Sequence, residues 1–172
     1  MIILFRHGEG DHNVNPRFSC SKESEAELTP NGRLMVKNSA ERLKIDIQHE
    51  NVVVYSSPLL RTRQTAEIIC EVFNIDFSSV IIDDRLIEVQ MGKYDEKPVS
   101  EFPWDVYNIY AAKTYGGEDY PDVEKRMLSM IDEIKDIPIV LLVSHALPIR
   151  VMRRMLTSID DKIKVAEYAI IQ

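Results

Sequence analysis

Short β-branched apolar runs at Ile2–Phe5, Val52–Tyr55, Val80–Ile82, Ile139–Val143 and Tyr168–Ile171 recur along the chain, several separated by longer amphipathic stretches. That rhythm constrains the fold more than any other feature, because runs of this kind must be covered on both faces and helical stretches are what is present to cover them. The first helix is expected to start at Thr29-Pro30, a cap followed by proline, with Leu34, Met35, Ala40 and Leu43 at helical spacing. Further helices are expected from Pro58 to Phe73, Tyr120 to Lys135 and Pro148 to Leu156. At 172 residues the chain is read as one domain, 1–172, of α/β class.

Two runs end on chemistry. Met1–Phe5 leads into Arg6-His7-Gly8-Glu9, and Ile139–Val143 leads into Ser144-His145. A residue at the carboxyl end of a buried parallel strand is held rigidly and left accessible, the usual place for function in open α/β sheets. Gly8 and Gly10 let the chain turn and approach a ligand closely. Neutral imidazole is a nucleophile near pH 7, and a guanidinium beside it matches an anionic oxygen pair, so this juxtaposition suggests attack on a phosphate. Ser56 to Arg61 and Leu86-Ile87-Glu88 bring a second arginine and a glutamate next to further strand ends or helix starts. Phosphoryl transfer needs that inventory: a nucleophile, positive groups around the equatorial oxygens and an acid for the leaving group.

Each residue has an ordinary reading as well. Arg61 could be a solvated helix arginine, Glu88 could pair with Arg85 or Lys93, and His145 could be a hydrogen-bonded turn residue. His12 and His49 carry no supporting motif and are read as surface or loop residues. A metal site built from His7, His12, His145 and Asp11 is disfavoured, since its spacing is not diagnostic and neighbouring arginines would repel a dication. No metal and no cofactor is expected.

Composition narrows the partners. A net charge of −7 disfavours nucleic acid and anionic membrane surfaces, both of which reward excess Lys and Arg. Cys20 and Cys70 form no Cys-x-x-Cys pair, which fits a reducing compartment. The chain opens on its first strand without a basic leader, and its longest apolar stretch, around Ile137 to Val143, is too short to span a bilayer, so a cytoplasmic location is expected. Glu9 to Leu28 and Gly92 to Glu118 resist regular assignment and are long enough to be functional loops. The aromatic residues of the second, Trp104, Tyr107, Tyr110 and Tyr115, either cover a substrate or pack as a satellite core.

Taken together, these segments resemble the histidine phosphatase superfamily, also called phosphoglycerate-mutase-like. The resemblance rests on Arg6-His7-Gly8-Glu9 with Asn13, Leu28-Thr29-x-x-Gly32, Ser56 to Ala66, Leu86-x-Glu88 with Gly92, Gly117-Glu118 with Val123 to Arg126, and Val143-Ser144-His145 with Ile149-Arg150. It implies a three-layer α/β/α sandwich with a mixed, mostly parallel central sheet. It implies His7 as the nucleophile that becomes phosphohistidine, Arg6, Arg61 and His145 as the phosphate pocket, Asn13 as a further hydrogen-bond donor, and Glu88 as proton donor. Nearby guanidinium charge should lower the His7 pKa. Two departures stand out: Gly10 where many members carry threonine or serine, and Asp119 where serine is usual, the latter expected to face solvent or cap the following helix. Mutases of the family carry a basic insertion after the glutamate segment, which this chain lacks, so hydrolysis of a small phosphorylated substrate or a phosphoprotein is favoured. Phosphoglycerate-mutase-type transfer is the alternative within the family. A non-catalytic phosphate-binding regulator is the alternative outside it.

Overall fold

A computed structural model describes residues 1–48, 51–104 and 109–172, with the side chains of 109–111 outside the description. His49 and Tyr107 therefore lie outside the described residues, as does the side chain of Tyr110. Five strands, β1 (Ile2–Arg6), β2 (Val53–Ser56), β3 (Ile81–Ile82), β4 (Val140–Ser144) and β5 (Tyr168–Ile171), form one sheet in the order β3-β2-β4-β1-β5. All neighbours are parallel except β5, which runs antiparallel to β1. The five apolar runs thus became the five strands.

Strand alternation divides the core between two helical layers. Ile3, Phe5, Val54, Leu141 and Val143 point to one face and meet α2 (Pro30–Ile47) and α3 (Leu60–Phe73) through Val36, Ala40, Leu43, Ala66 and Ile69. Leu4, Tyr55, Val140 and Leu142 point to the other and meet α4 (Tyr120–Ile134) and α5 (Ala146–Thr157) through Met127, Met130, Ile134, Val151 and Met152. The result is the expected three-layer α/β/α sandwich. Leu34 was expected on the inner face of its helix, but it is 57% exposed and Val36 is buried in its place. Among the described residues, no helix is long and apolar enough to cross a membrane.

The two long connections are partly ordered by short helices. The first holds α1 (Asp11–Val14), and the second holds 3₁₀ turns at Gly92–Tyr94, Val99–Glu101 and Ile109–Tyr115. Within the second, Tyr94, Phe102 and Tyr115 form edge-to-face contacts with centroids 5.1–6.1 Å apart, which is the satellite-core packing. Trp104 packs on the edge of that cluster, its ring centroid 4.7 Å from that of Phe102, and stays 45% exposed. Asp119 is the N-cap residue of α4, and its own N–H is taken by Asp122 at 3.0 Å, as expected of a capping position.

Candidate active site

The parallel register puts the carboxyl ends of β1, β4 and β2 side by side: Arg6 lies opposite Ser144, and Ser56 opposite Val143. The next residue of each strand is His7, His145 and Ser57. His7 N–H donates to the Ser144 carbonyl (3.1 Å) and Ser57 N–H to that of Val143 (3.0 Å), so the ladder hydrogen bonding runs straight into the site.

Arg61, in the first turn of α3, is the hub. It is only 1% exposed, which excludes the reading of a solvated helix arginine. A guanidinium only donates, and a buried one must find acceptors. Its Nη2 donates to the Ser19 carbonyl (2.7 Å) and to Nδ1 of His145 (3.0 Å), its Nη1 to the Ser19 hydroxyl (3.0 Å), and its Nε to Nε2 of His7 (3.4 Å). These contacts set the histidine tautomers. Nδ1 of His145 must accept, so its proton sits on Nε2 and is given to the Ser57 hydroxyl at 2.8 Å. On His7, Nδ1 lies 2.7 Å from the Gly8 carbonyl and must donate, which leaves Nε2 with its lone pair. His7 and His145 are both buried, with ring centroids 5.1 Å apart.

Burial, then the Arg61 and Arg6 charges, hold the His7 pKa well below the usual imidazole range. The expected direction holds, although desolvation outweighs the guanidinium effect. His145 is lowered in the same way, by burial first and Arg61 second. Arg6 donates from Nη1 to the Ile163 carbonyl (2.9 Å), and its buried Nε–H has no partner among the described residues. Burial lowers the pKa values of Arg6 and Arg61, and the nearby Glu88 charge partly offsets this.

Glu88 pairs with neither Arg85 nor Lys93. Arg85 is held by Asp83 and Glu133, and Lys93 lies over the Tyr115 ring at 4.4 Å. The Glu88 carboxylate instead accepts from Val89 N–H (2.9 Å) and from the first turn of α5, Ala146 N–H at 3.2 Å and Leu147 N–H at 3.4 Å. Helix N-termini favour negative charge, so α5 fixes the carboxyl directly beside His145. The remaining matched segments support this strand-end cluster. Gly8 N–H donates to the Thr65 hydroxyl (3.2 Å), and Arg126 and Gln90 N–H both bond Glu118, bracing the segment that carries Glu88.

Two local expectations are corrected. His12 is not a surface residue: it is 9% exposed on α1, its ring 5.5 Å from that of His7, and burial and Arg61 push its pKa down to about 3. It became buried because Gly10 vacates the space, since a Cβ there would lie 2.7 Å from His12 Nδ1. Gly8 and Gly10 thus make room for protein atoms, Gly8 for Val36 and the Gly32 carbonyl, where close approach to a ligand was expected. Asn13 is exposed beside the site; its Oδ1 accepts from Gly10 N–H (2.9 Å) and its Nδ2 donates to Nε2 of His12 (3.0 Å). His7, Arg61 and His145 are in direct mutual contact, Arg6 and Glu88 flank them, and Asn13 is reached through His12. Ser19, which holds Arg61, escaped sequence reasoning because nothing in its spacing marks it, while Ser57, which holds His145, lies in the matched Ser56 to Ala66 segment but was assigned no role there.

Asp11 is paired with Arg17 at 2.9 Å. Among the described residues, no three His, Cys, Asp or Glu side chains are disposed to hold a metal ion.

Comparison with known proteins places the chain in a family. A phosphoglycerate mutase dependent on 2,3-bisphosphoglycerate from Thermoplasma acidophilum is 34% identical over 155 residues, 87% of this chain and 72% of that one. Phosphoserine phosphatase 1 of Hydrogenobacter thermophilus is 30% identical over 171 residues, covering 92% and 77%. The solved structure of a mycobacterial glucosyl-3-phosphoglycerate phosphatase shares the fold, with a TM-score of 0.77 at 23% identity over 97% of this chain and 90% of that one. The profile of the histidine phosphatase superfamily (branch 1) matches residues 2–164, spanning every segment that builds the strand-end cluster. With its paired histidines and buried arginine in that frame, the chain belongs to the histidine phosphatase superfamily.

Proposed function

We propose that the protein is a metal-independent phosphatase that hydrolyses phosphomonoesters through phosphohistidine on His7. The observation that carries this reading is the His7 tautomer: the Gly8 carbonyl engages Nδ1, so Nε2 is unprotonated and its lone pair accepts only a long bond, 3.4 Å, from Arg61 Nε, which a bound phosphate would draw away. In the first step, with Glu88 in its protonated form, Nε2 attacks phosphorus, the N–P bond forms, the ester P–O bond breaks, and Glu88 gives its proton to the leaving oxygen. In the second, Glu88 takes a proton from water, the water oxygen attacks phosphorus, and the N–P bond breaks to restore neutral His7. Arg6, Arg61 and neutral His145 surround the transferring oxygens, the two guanidiniums supplying charge that is already oriented, so little reorganisation is needed in the transition state.

Water is favoured as acceptor because the lysines of the long connection are engaged elsewhere. Lys93 lies over Tyr115, Lys97 over Tyr94, and Lys113 bonds Asp122. Transfer between phosphoglycerates is the second reading, supported by the Thermoplasma acidophilum relative.

Phosphate release from 4-nitrophenyl phosphate with EDTA present, in wild type and His7→Ala, tests the proposal. Turnover that survives chelation and is lost in the variant is expected; activity lost on chelation, or retained without His7, would overturn it. Addition of a phosphoglycerate acceptor distinguishes the second reading, since transfer in place of release would favour a mutase.

A further inference from the structure

Beside the catalytic cluster lies a cavity of about 420 Å³, bounded by Phe18, Cys20, Glu88, Met91, Trp104 and Leu147. It adjoins the phosphoryl site at two places: Cys20 follows Ser19, which holds Arg61, and Leu147 lies two residues after His145. Glu88 lines the cavity, so a group attached to the ester oxygen it protonates would extend there. The volume falls in the usual range for small-molecule sites, about 300–1,000 Å³.

Its walls are apolar for identifiable reasons. The indole Nε1–H of Trp104 is tied back to the Val99 carbonyl at 2.9 Å, so what Trp104 offers the cavity is its ring. That ring is oriented by Phe102 and Phe18, at centroid distances of 4.7 and 6.2 Å. Burial and the Glu88 charge keep the Cys20 thiol protonated, so it adds a neutral wall. Of the two cations that line it, Arg150 is engaged by Asp160 through two hydrogen bonds, and Lys162 is exposed. A compact anionic alcohol such as a glycerate would lose hydration against these mostly apolar walls beside Glu88.

We infer that this cavity receives the alcohol part of the substrate, and that this alcohol carries an aromatic or comparably apolar group resting on Trp104 and Leu147 while its ester oxygen faces Glu88. The inference rests on the phosphatase reading for its chemistry and on the cavity for its specificity.

Two measurements separate these. The first compares kcat/KM for 2-phenylethyl phosphate and glycerol 1-phosphate, both alkyl esters, so that the ring is the main difference. Preference for the phenyl ester by about tenfold or more, expressed in KM, is expected from burial of a ring, and Trp104→Ala lowers the ratio. The second uses wild type only. Trp104 is the sole tryptophan of the chain, so its fluorescence reports occupancy of the cavity. Saturable change with 3-phenylpropylphosphonate, which cannot be hydrolysed, and weaker binding of propylphosphonate are expected. Equal kcat/KM values without a fluorescence response would overturn the cavity assignment and leave the phosphatase reading standing. Selective binding of the phenyl phosphonate with no phosphate release from any ester would uphold the cavity and overturn hydrolysis.

Discussion

Gly10 and His12 share one space, and the consequence is a third neutral imidazole packed against the proposed nucleophile. A side chain at position 10 must displace His12, so Gly10→Thr is expected to cost about 1–3 kcal/mol, as for overpacked sites. In a His12→Ala background the same change should cost less than about 1 kcal/mol. Urea denaturation of the four proteins in the cycle measures this, and additive costs would show that the two positions do not compete. Ser19 supplies both a hydroxyl and a carbonyl to Arg61. Ser19→Ala removes only the former, and kcat/KM is expected to fall about tenfold through looser positioning of the guanidinium. An unchanged kcat/KM would show that the carbonyl suffices. The chemistry-bearing residues were legible in the sequence because each follows an apolar run or opens a helix, where a motif can be anchored. Ser19 and His12 were not, because they lie in a stretch without periodicity. Their importance comes from a buried guanidinium that needs acceptors and from a methyl-sized vacancy at Gly10, neither of which leaves a pattern in spacing.

At the level of elements, the start of α2 carries the tightest constraint on the first strand-end turn. Thr29 caps the helix through Gly32 N–H (2.9 Å), and its hydroxyl donates to the Glu9 carboxylate (2.7 Å). A Cβ on Gly32 would lie 2.0 Å from the Glu9 carbonyl oxygen, two backbone positions beyond His7. Helix propensity alone would make Gly32→Ala stabilising by roughly 0.8–1 kcal/mol. The backbone clash reverses that sign, and a net loss of about 2 kcal/mol or more is expected in chemical denaturation. A stabilised variant would mean the two segments are free to separate. The Thr29-Pro30 cap was readable because both residues act locally. Strand ends were read one residue short at Arg6, Ser56 and Ser144, because polar residues interrupt the apolar pattern while their backbones continue the ladder. Helix α5 begins at Ala146 ahead of the expected Pro148, since a first-turn proline gives up an N–H that has no intrahelical acceptor.

Across the whole molecule, neutral burial of His7, His12 and His145 couples stability to pH. An unfolded histidine takes its proton near pH 6.5, whereas these three hold one only at lower pH when folded. Below about pH 6.5 the unfolded chain therefore binds more protons, and stability falls as pH falls; above that value the contribution is fully present. For His12, with its folded value about 3, the slope is about 1.4 kcal/mol per pH unit between the two values. Tm is expected to drop from pH 7.5 to pH 5, with a shallower drop in His12→Gln. Equal slopes would show that His12 does not titrate on unfolding. One feature of the sheet reaches beyond equilibrium. Among the described residues, strand β1 pairs only with β4 and β5, more than 130 positions on in the 172-residue sequence, and the turn after it is also tied there, His7 O accepting from Ala166 N–H at 2.9 Å. A nascent or refolding chain thus carries its prospective nucleophile as an unpaired strand end until residues 140–171 are available. High contact order of this kind slows folding, and it makes completion of the proposed site wait on the segments that fold onto β1 from the other end of the chain.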